Sequence, residues 1–353
     1  MSRSPEIVAP EPVPADALSR WLAAEVPEVS VGPAPVSVER ISGGHSNLTY
    51  RIVDAAGVPW ALRRPPTGGV LATAHDMSRE WRFITALAPT PVPVPRPVAY
   101  CADTDVIGAE FYLMGFVDGM VLGDQDAGER FPPAHRHAAG LAVVDVLADL
   151  HAVDPDAVGL GELRRPGSYL ERQLRRWHRQ VHASAVPDLS VIDAVHERLN
   201  ARMPAMSEVR IAHGDFRPGN LSFFRDGGIG AIFDWELATL GDPLADLGWV
   251  LASWARPGDT EPPTTPGPTA LEGFPDRDEL IARYAARSGR DLTELPYYLA
   301  FARWRSACIG AGVYTRYASG VMGSDAAEAG DVVVARLDAV QAQARTALAA
   351  LEG

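Results

Sequence analysis

The chain has 353 residues, 47% of them hydrophobic, enough for a large core and two lobes or domains. A formal net charge of −13 argues against a general nucleic-acid binder. Two distant cysteines, Cys101 and Cys308, imply neither a disulfide framework nor a thiolate metal site, and no apolar run is long enough to span a membrane.

Residues 1–14 are proline-rich and predicted to be disordered, with no apolar signal-peptide core, and the lack of a disulfide framework fits a reducing cytoplasm. A short helix follows over Asp16–Ala24, capped by Asp16, with Leu18, Trp21 and Leu22 on one face. Strands are expected at Val36–Ile41, Leu48–Val53 and Pro59–Arg63. The first two flank Ser42-Gly43-Gly44-His45-Ser46-Asn47. Such a turn lets backbone N–H groups approach phosphate oxygens, making Gly43, Gly44, Ser46 and Asn47 candidate nucleotide contacts, although it also reads as an ordinary glycine hairpin.

Lysine is absent, so all 32 basic residues are arginine. Any task that needs a lysine falls to a forked, permanently charged guanidinium. Arg63 is such a candidate: Glu80 lies seventeen residues on, in an amphipathic helix with Met77, Trp81, Ile84 and Leu87 on one side. An Arg63–Glu80 pair would hold a cation against α- and β-phosphates; a one-residue slip of register would give the place to Arg64, and a solvated surface pair is the bland alternative. After a stiff Pro-rich connector come strands near Pro97–Cys101 and Glu110–Phe116. Backbone near Met114, Phe116 and Val117 sits where an adenine edge would be met, or is simply a strand passing into a loop.

Beyond residue 120 the chain is mostly helical. Pro133–His151 reads as one long helix, with His151 a hydrogen-bonded core or cap residue. Gly167–Ala185 carries Arg172, Arg175, Arg176, Arg179 and His182, a solvated face or a phosphate-binding one. Val191–Met203 is a further helix. The stretch that carries most chemistry is Ile211–Asp246. Asp215 is followed five residues later by Asn220; strands Leu221–Phe224 and Ile229–Phe233 flank Asp226-Gly227-Gly228, a hairpin signal; Asp234 comes directly after. Phosphoryl transfer needs such a set: hard oxygen ligands for a metal from Asn220 and Asp234, and Asp215 kept off the metal to take a hydroxyl proton. The spacing matches the H-x-D-x-x-x-x-N signature and its downstream metal-binding Asp. Gly241-Asp242-Pro243 then starts a helix to Trp254, capped by Asp242, and Asp246 inside it is expected to bind the catalytic-loop backbone. Pro257–Gly273 reads as a loop, and helices near Arg277–Ser288, Glu294–Ser319 and Asp325–Leu351 complete the chain.

With these residues the chain resembles an aminoglycoside-phosphotransferase-type small-molecule kinase. Within that superfamily it most resembles the kinase domain fused to, or encoded near, acyl-CoA dehydrogenases. ISGGHSNLTYRI, WALRRPP, FYLMGFVDG, IAHGDFRPGN, IFDWELATLGDPLADLGW and FARWRSACIGAGVYTR carry the resemblance, from about residue 38 to about 318. It implies an α+β, protein-kinase-like bilobal fold, with a β-rich nucleotide-binding lobe over residues 1–117 and a helical lobe over 118–353. It also implies ATP and Mg²⁺, Asp215 as base, and Asn220 and Asp234 as metal ligands. Dehydrogenase-linked relatives phosphorylate hydroxyacyl-CoAs; others act on aminoglycosides, choline or homoserine. Arg63 in place of lysine, Asp-Trp-Glu at 234–236 and Gly214 in place of arginine depart from the protein-kinase pattern. The expected activity is phosphoryl transfer from ATP to a small-molecule hydroxyl, with a non-catalytic nucleotide or acyl-CoA-binding module as the competing reading. Acidic residues in the site would suit an aminoglycoside, and Arg172, Arg175, Arg303 and Arg305 would suit CoA phosphates.

Overall fold

The computed structural model describes residues 13–41, 47–66, 76–206, 208–319 and 326–352. They fall into two units: residues 13–118 with Gly230–Leu237, and Gly119–Ile229 with the chain from Ala238 onward. The fold is α+β, with an antiparallel sheet in the first unit and mainly helices in the second.

In the first unit, α1 (Ala15–Glu25) precedes β1 (Ser37–Ile41), β2 (Leu48–Val53) and β3 (Pro59–Arg64); α2 (Met77–Leu87), β4 (Pro97–Cys101) and β5 (Phe111–Gly115) follow. The strands form one antiparallel sheet in the order β1-β2-β3-β5-β4. Alternation along the strands sorts its two faces. Leu48, Tyr50, Ile52, Trp60, Leu62, Phe111 and Leu113 share a core with Leu18 and Leu22 of α1. The intervening residues Arg63 and Tyr112, paired across β3 and β5, belong to the opposite face, where Glu80 of α2 meets them.

One local expectation is corrected here. Asp16 does not cap α1; the helix begins at Ala15 after Pro14, without a side-chain cap, and Asp16 lies in its first turn. There its carboxylate complements the helix dipole instead. On α2, Met77, Ile84 and Leu87 are buried as expected, Trp81 is half-buried against Tyr100 and Tyr112, and Phe83 is a further interior residue. Phe83 stacks on Trp235 at 6.1 Å between ring centroids. Ile232 N–H donates to the Pro93 carbonyl at 2.9 Å, so the segment carrying Asp234 is built into this unit.

The second unit contains β6 (Met120–Val121), α3 (Gln125–Arg130), α4 (Arg136–Ala152), α5 (Tyr169–His182), α6 (Ser190–Ala201), β7 (Arg210–Ala212) and β8 (Leu221–Phe223). The chain then runs along β9 (Ile229–Ile232) and returns through β10 (Thr239–Gly241), α7 (Pro243–Ser253), α8 (Arg277–Ser288), α9 (Leu295–Ala318) and α10 (Ala326–Ala350). The helix expected from Pro133 is broken: a single 3-10 turn over Pro133–His135 precedes α4. Strands β7 and β10 pair antiparallel, an element too short to show as a periodic run in the sequence. Helices α5, α6, α9 and α10 share a core that includes Leu174, Trp177, Ile192, Phe301 and Trp304. Gly248 of α7 lies against Tyr298 of α9 so closely that a Cβ would fall 2.6 Å from the Tyr298 carbonyl oxygen; only glycine allows this approach. Among the described residues no helix is long and apolar enough to cross a membrane.

Candidate active site

The first unit holds a buried carboxylate cluster. Glu80 is fully buried, and its oxygens accept from Arg63 Nε at 2.8 Å, Tyr112 Oη at 2.9 Å and Asn47 Nδ2 at 2.5 Å. Three donors offset the desolvation of one carboxylate, which an unpaired charge at this depth would not survive. The Arg63 guanidinium also reaches Asp234 Oδ1. Burial by itself would lower the Arg63 pKa, but the charges of Glu80 and Asp234 raise it above the usual arginine value.

The choice between Arg63 and Arg64 is decided by register. Arg63 lies opposite Thr49 and Tyr112, on the Glu80 face. Arg64, one residue on, is turned to the other face, where it donates to the Ile107 carbonyl at 3.0 Å and to Tyr50 Oη at 3.2 Å. A side-chain period of two leaves no third option.

Asp234 is the one non-glycine residue with a positive φ, 67°, among the described residues. Aspartate tolerates this region better than most residues, and such conformations persist where the surroundings impose them. One carboxylate oxygen each from Glu80, Asp234 and Glu236 lies within 4.8 Å of the others. Glu236 was not anticipated; it is two residues from Asp234 in a tight 3-10 turn over Trp235–Leu237, which returns it to the same place. Asn47, a candidate phosphate contact, donates its amide Nδ2 to Glu80. Met114 is buried within β5, while Phe116 and Val117 follow the last paired residue, Gly115, and are half-buried. Gly43, Gly44 and Ser46 lie outside the described residues.

The second unit holds the loop after β7. Asp246, 1% exposed, accepts from the backbone N–H groups of His213 at 2.6 Å and Gly214 at 2.8 Å. Asp246 is one turn into α7, which packs on β7, so the acid meets the loop as it leaves the strand. Gly214 has φ 85°, and its carbonyl accepts from Arg305 Nη2 at 2.5 Å. The Arg305 guanidinium is held over the rings of Trp249, at 4.5 Å, and Trp177, at 5.3 Å. Asp215 is thereby presented on a braced loop. Its Oδ1 accepts from Trp249 Nε1 at 2.8 Å, and its Oδ2 from Asn220 Nδ2 at 2.8 Å. Asn220 Nδ2 also donates to the Asp215 carbonyl at 2.8 Å. Both amide hydrogens of Asn220 are thus engaged, which leaves its Oδ1 for a cation. An amide oxygen is a hard donor of the kind that Mg²⁺ prefers.

Tyr112 and Trp249 were missed from sequence, and Arg305 was read there only as a candidate for CoA phosphates. Trp249 had a findable signal: it stands three residues after Asp246 on α7 and so shares its face. Arg305, 91 residues from Gly214, had none. Its guanidinium is engaged by the Gly214 carbonyl and by two indole rings. Arg303 donates to the Pro262 carbonyl and Gln343, Arg172 to the carbonyls of residues 165–167, and Arg175 to Glu171. Long arginines beside unsatisfied carbonyls take the nearest acceptors.

Trp249→Phe is a clean probe of the brace, because it removes the N–H and keeps a ring under Arg305. It is expected to lower kcat roughly 10-fold or more, the scale of losing a second-layer hydrogen bond, with little change in nucleotide KM. Steady-state kinetics check this; a variant with unaltered kcat would mean that the bond does not orient Asp215.

Comparison with known proteins gives a consistent picture. A family model described as "Phosphotransferase enzyme family" matches residues 37–300. An acyl-CoA dehydrogenase family member 11 from Gallus gallus is 35% identical over 314 residues, 86% of this chain and 40% of that protein. A family member 10 from Mus musculus is 32% identical over 330 residues, 90% of this chain and 30% of that protein. The chain therefore spans about a third of the length of these relatives. A crystal structure from Ralstonia eutropha JMP134, named for the aminoglycoside phosphotransferases, is 33% identical with a TM-score of 0.76, covering 95% of this chain and 99% of that one. The GDP complex of aminoglycoside 2'-phosphotransferase-IIIa shares the fold, with a TM-score of 0.60 at 17% identity over 94% of this chain and 99% of that one. The chain belongs to the phosphotransferase enzyme family, of protein-kinase-like fold, and is by family a small-molecule phosphotransferase.

Proposed function

We propose that this protein transfers the γ-phosphoryl group of ATP to a hydroxyl group of a small molecule. Asp215 orients the acceptor hydroxyl and takes its proton as the oxygen bonds to the γ-phosphorus. The bond to the bridging oxygen breaks, leaving ADP and a phosphate ester. Asn220 and Asp234 would hold Mg²⁺, which would supply charge neutralisation at the phosphate oxygens. Arg63, positioned by Glu80, bears on the α- and β-phosphates. The observation that carries this reading is the Asp215–Asn220 pair: the amide hydrogens face the base, and the amide oxygen is left for a cation. A purely binding module has no use for a carboxylate braced in this way.

For the acceptor we favour a hydroxyacyl-CoA, and with it a functional link to an acyl-CoA dehydrogenase. The support is the run of relatives named as acyl-CoA dehydrogenases in animals and Arabidopsis thaliana. An aminoglycoside or amino-alcohol acceptor is the second reading, since structures of the same fold include a kanamycin complex and an ethanolamine kinase.

The test is Mg²⁺-dependent ADP release measured against panels of hydroxyacyl-CoAs, aminoglycosides and amino alcohols, with GTP as an alternative donor. Stimulation by a hydroxyacyl-CoA is the expected result. Stimulation by another panel would reassign the acceptor. Nucleotide binding with no stimulation by any hydroxyl compound would replace the enzyme with a binding module.

A further inference from the structure

The C-terminal end of α5 and the first turns of α6 bring together a second cluster of ligating side chains. His178 and His182 are four residues apart on α5, so their rings share one helix face. Asp193 faces them from α6. His178 Nε2 lies 2.9 Å and His182 Nε2 lies 2.8 Å from the same oxygen, Asp193 Oδ1. The two Nε2 atoms are themselves 3.1 Å apart.

Hydrogen bonding cannot satisfy all three of these contacts. Each Nε2 offers a single directed site, either an N–H or a lone pair. If both donate to Asp193, two N–H groups face each other across the short N···N contact. If one accepts from the other, its lone pair is opposed to the carboxylate. A cation at the centre of the triangle uses a lone pair from every corner. Zinc–nitrogen and zinc–oxygen bonds of about 2.0–2.1 Å would set tetrahedral ligand atoms roughly 3.3 Å apart. The triangle observed, with edges of 2.8, 2.9 and 3.1 Å, needs to widen by only a few tenths of an ångström.

The cluster is also pre-oriented. The His196 ring stacks on His178 at 3.8 Å between centroids, with 13° between planes, and its other neighbour is Trp304 at 5.7 Å. Trp304 is fully buried and donates Nε1 to the Ile192 carbonyl at 3.0 Å, so the stack is anchored in the helical core. His182 is 45% exposed, which gives an ion an entry path from solvent.

We propose that His178, His182 and Asp193 form a binding site for a first-row divalent cation, Zn²⁺ foremost, with the fourth position open to water. Two imidazoles and one carboxylate suit zinc and its neighbours and are poor ligands for magnesium. The site is independent of the phosphotransfer reading, since none of its ligands serves there.

The test uses the full chain without a histidine tag, stripped with EDTA, and titrated calorimetrically with ZnCl₂ in excess MgCl₂. One zinc per chain is expected, and magnesium should not displace it. His182→Ala, at an exposed helix end, and Asp193→Asn should each weaken binding by about 10- to 100-fold or more, with helicity unchanged by circular dichroism. Co²⁺ should give visible d–d bands that His182→Ala loses. Absence of saturable zinc binding would overturn the proposal, leaving a hydrogen-bonded histidine cluster. So would undiminished zinc binding in a folded His178→Ala/His182→Ala double variant, which would put the ion elsewhere.

Discussion

Asp215→Asn is expected to lower phosphoryl-transfer kcat by about 100-fold or more, the scale of losing a general base. The substitution keeps the shape and an oxygen for Trp249 Nε1, but it removes the lone pairs that take the proton. It also sets one amide nitrogen against another, because Asp215 Oδ2 now receives Asn220 Nδ2 at 2.8 Å. Relief comes if Asn220 turns its amide, which moves Oδ1 away from a cation, so the Mg²⁺ requirement should rise as well. Asp215→Ala separates the two effects: it removes the base without opposing Asn220. Steady-state kinetics over a magnesium titration, alongside thermal shift with nucleotide, measure both. Unchanged turnover in both variants would remove Asp215 from the role of base.

The second large effect should come from Asp246→Ala. Two backbone N–H groups lose their acceptor in a site only 1% exposed. Each buried unsatisfied donor costs about 1–3 kcal/mol, so a loss of roughly 2–6 kcal/mol in stability is expected, together with a collapse of activity as the loop loses its shape. Asp246→Asn retains one acceptor oxygen and should fall between. Chemical denaturation compared with residual turnover checks this; a variant that folds with full stability would show the carboxylate to be dispensable.

The same pair sets an acid dependence. Burial alone would raise the Asp246 pKa, but the neighbouring His151 and His213 and the Gly214 N–H outweigh it and hold the carboxyl below the usual range. A depressed acid stabilises the fold above its unfolded value of about 3.9 and loses that contribution as pH falls through its folded value. His151, buried and hydrogen-bonded to Tyr284 Oη at 2.8 Å, is held below the ordinary imidazole value chiefly by burial. Its contribution is full above about pH 6.5 and declines below that, as the unfolded chain binds the proton more readily. Wild-type stability should therefore fall in two stages on acidification, and Asp246→Ala should lack the lower one.

What could be read in advance follows from how local each signal is. The extended run Leu48–Val53 matches β2 because alternation and flanking turns reside in the strand itself. Asp242-Pro243 marked the start of α7 for the same reason, and Asp242 does cap Leu244 N–H at 3.0 Å. The Asp246 contact was legible because a carboxylate in an apolar helix must find donors nearby. Arg63 and Arg64 stayed open because only the pairing of β3 with β2 and β5 gives each a face. Arg305 was not legible, since Gly214, Trp177 and Trp249 lie far from it along the chain; the i,i+4 spacing puts His178 and His182 on one face, but nothing local announces Asp193, which comes from another helix.

A guanidinium beside Glu80 and Asp234 also has a practical consequence. Acyl-phosphate nucleotide analogues tag kinases by handing their label to the ε-amine next to the phosphates. This chain has no ε-amine at any position. A nucleotide-loaded molecule would pass through such a survey unmarked, and a proteome-wide inventory built on amine labelling would miss it. Dicarbonyl reagents, which condense with arginine, are the matching chemistry for such a chain, and they meet its exposed arginines before Arg63, whose side chain is only 11% exposed and paired to Glu80.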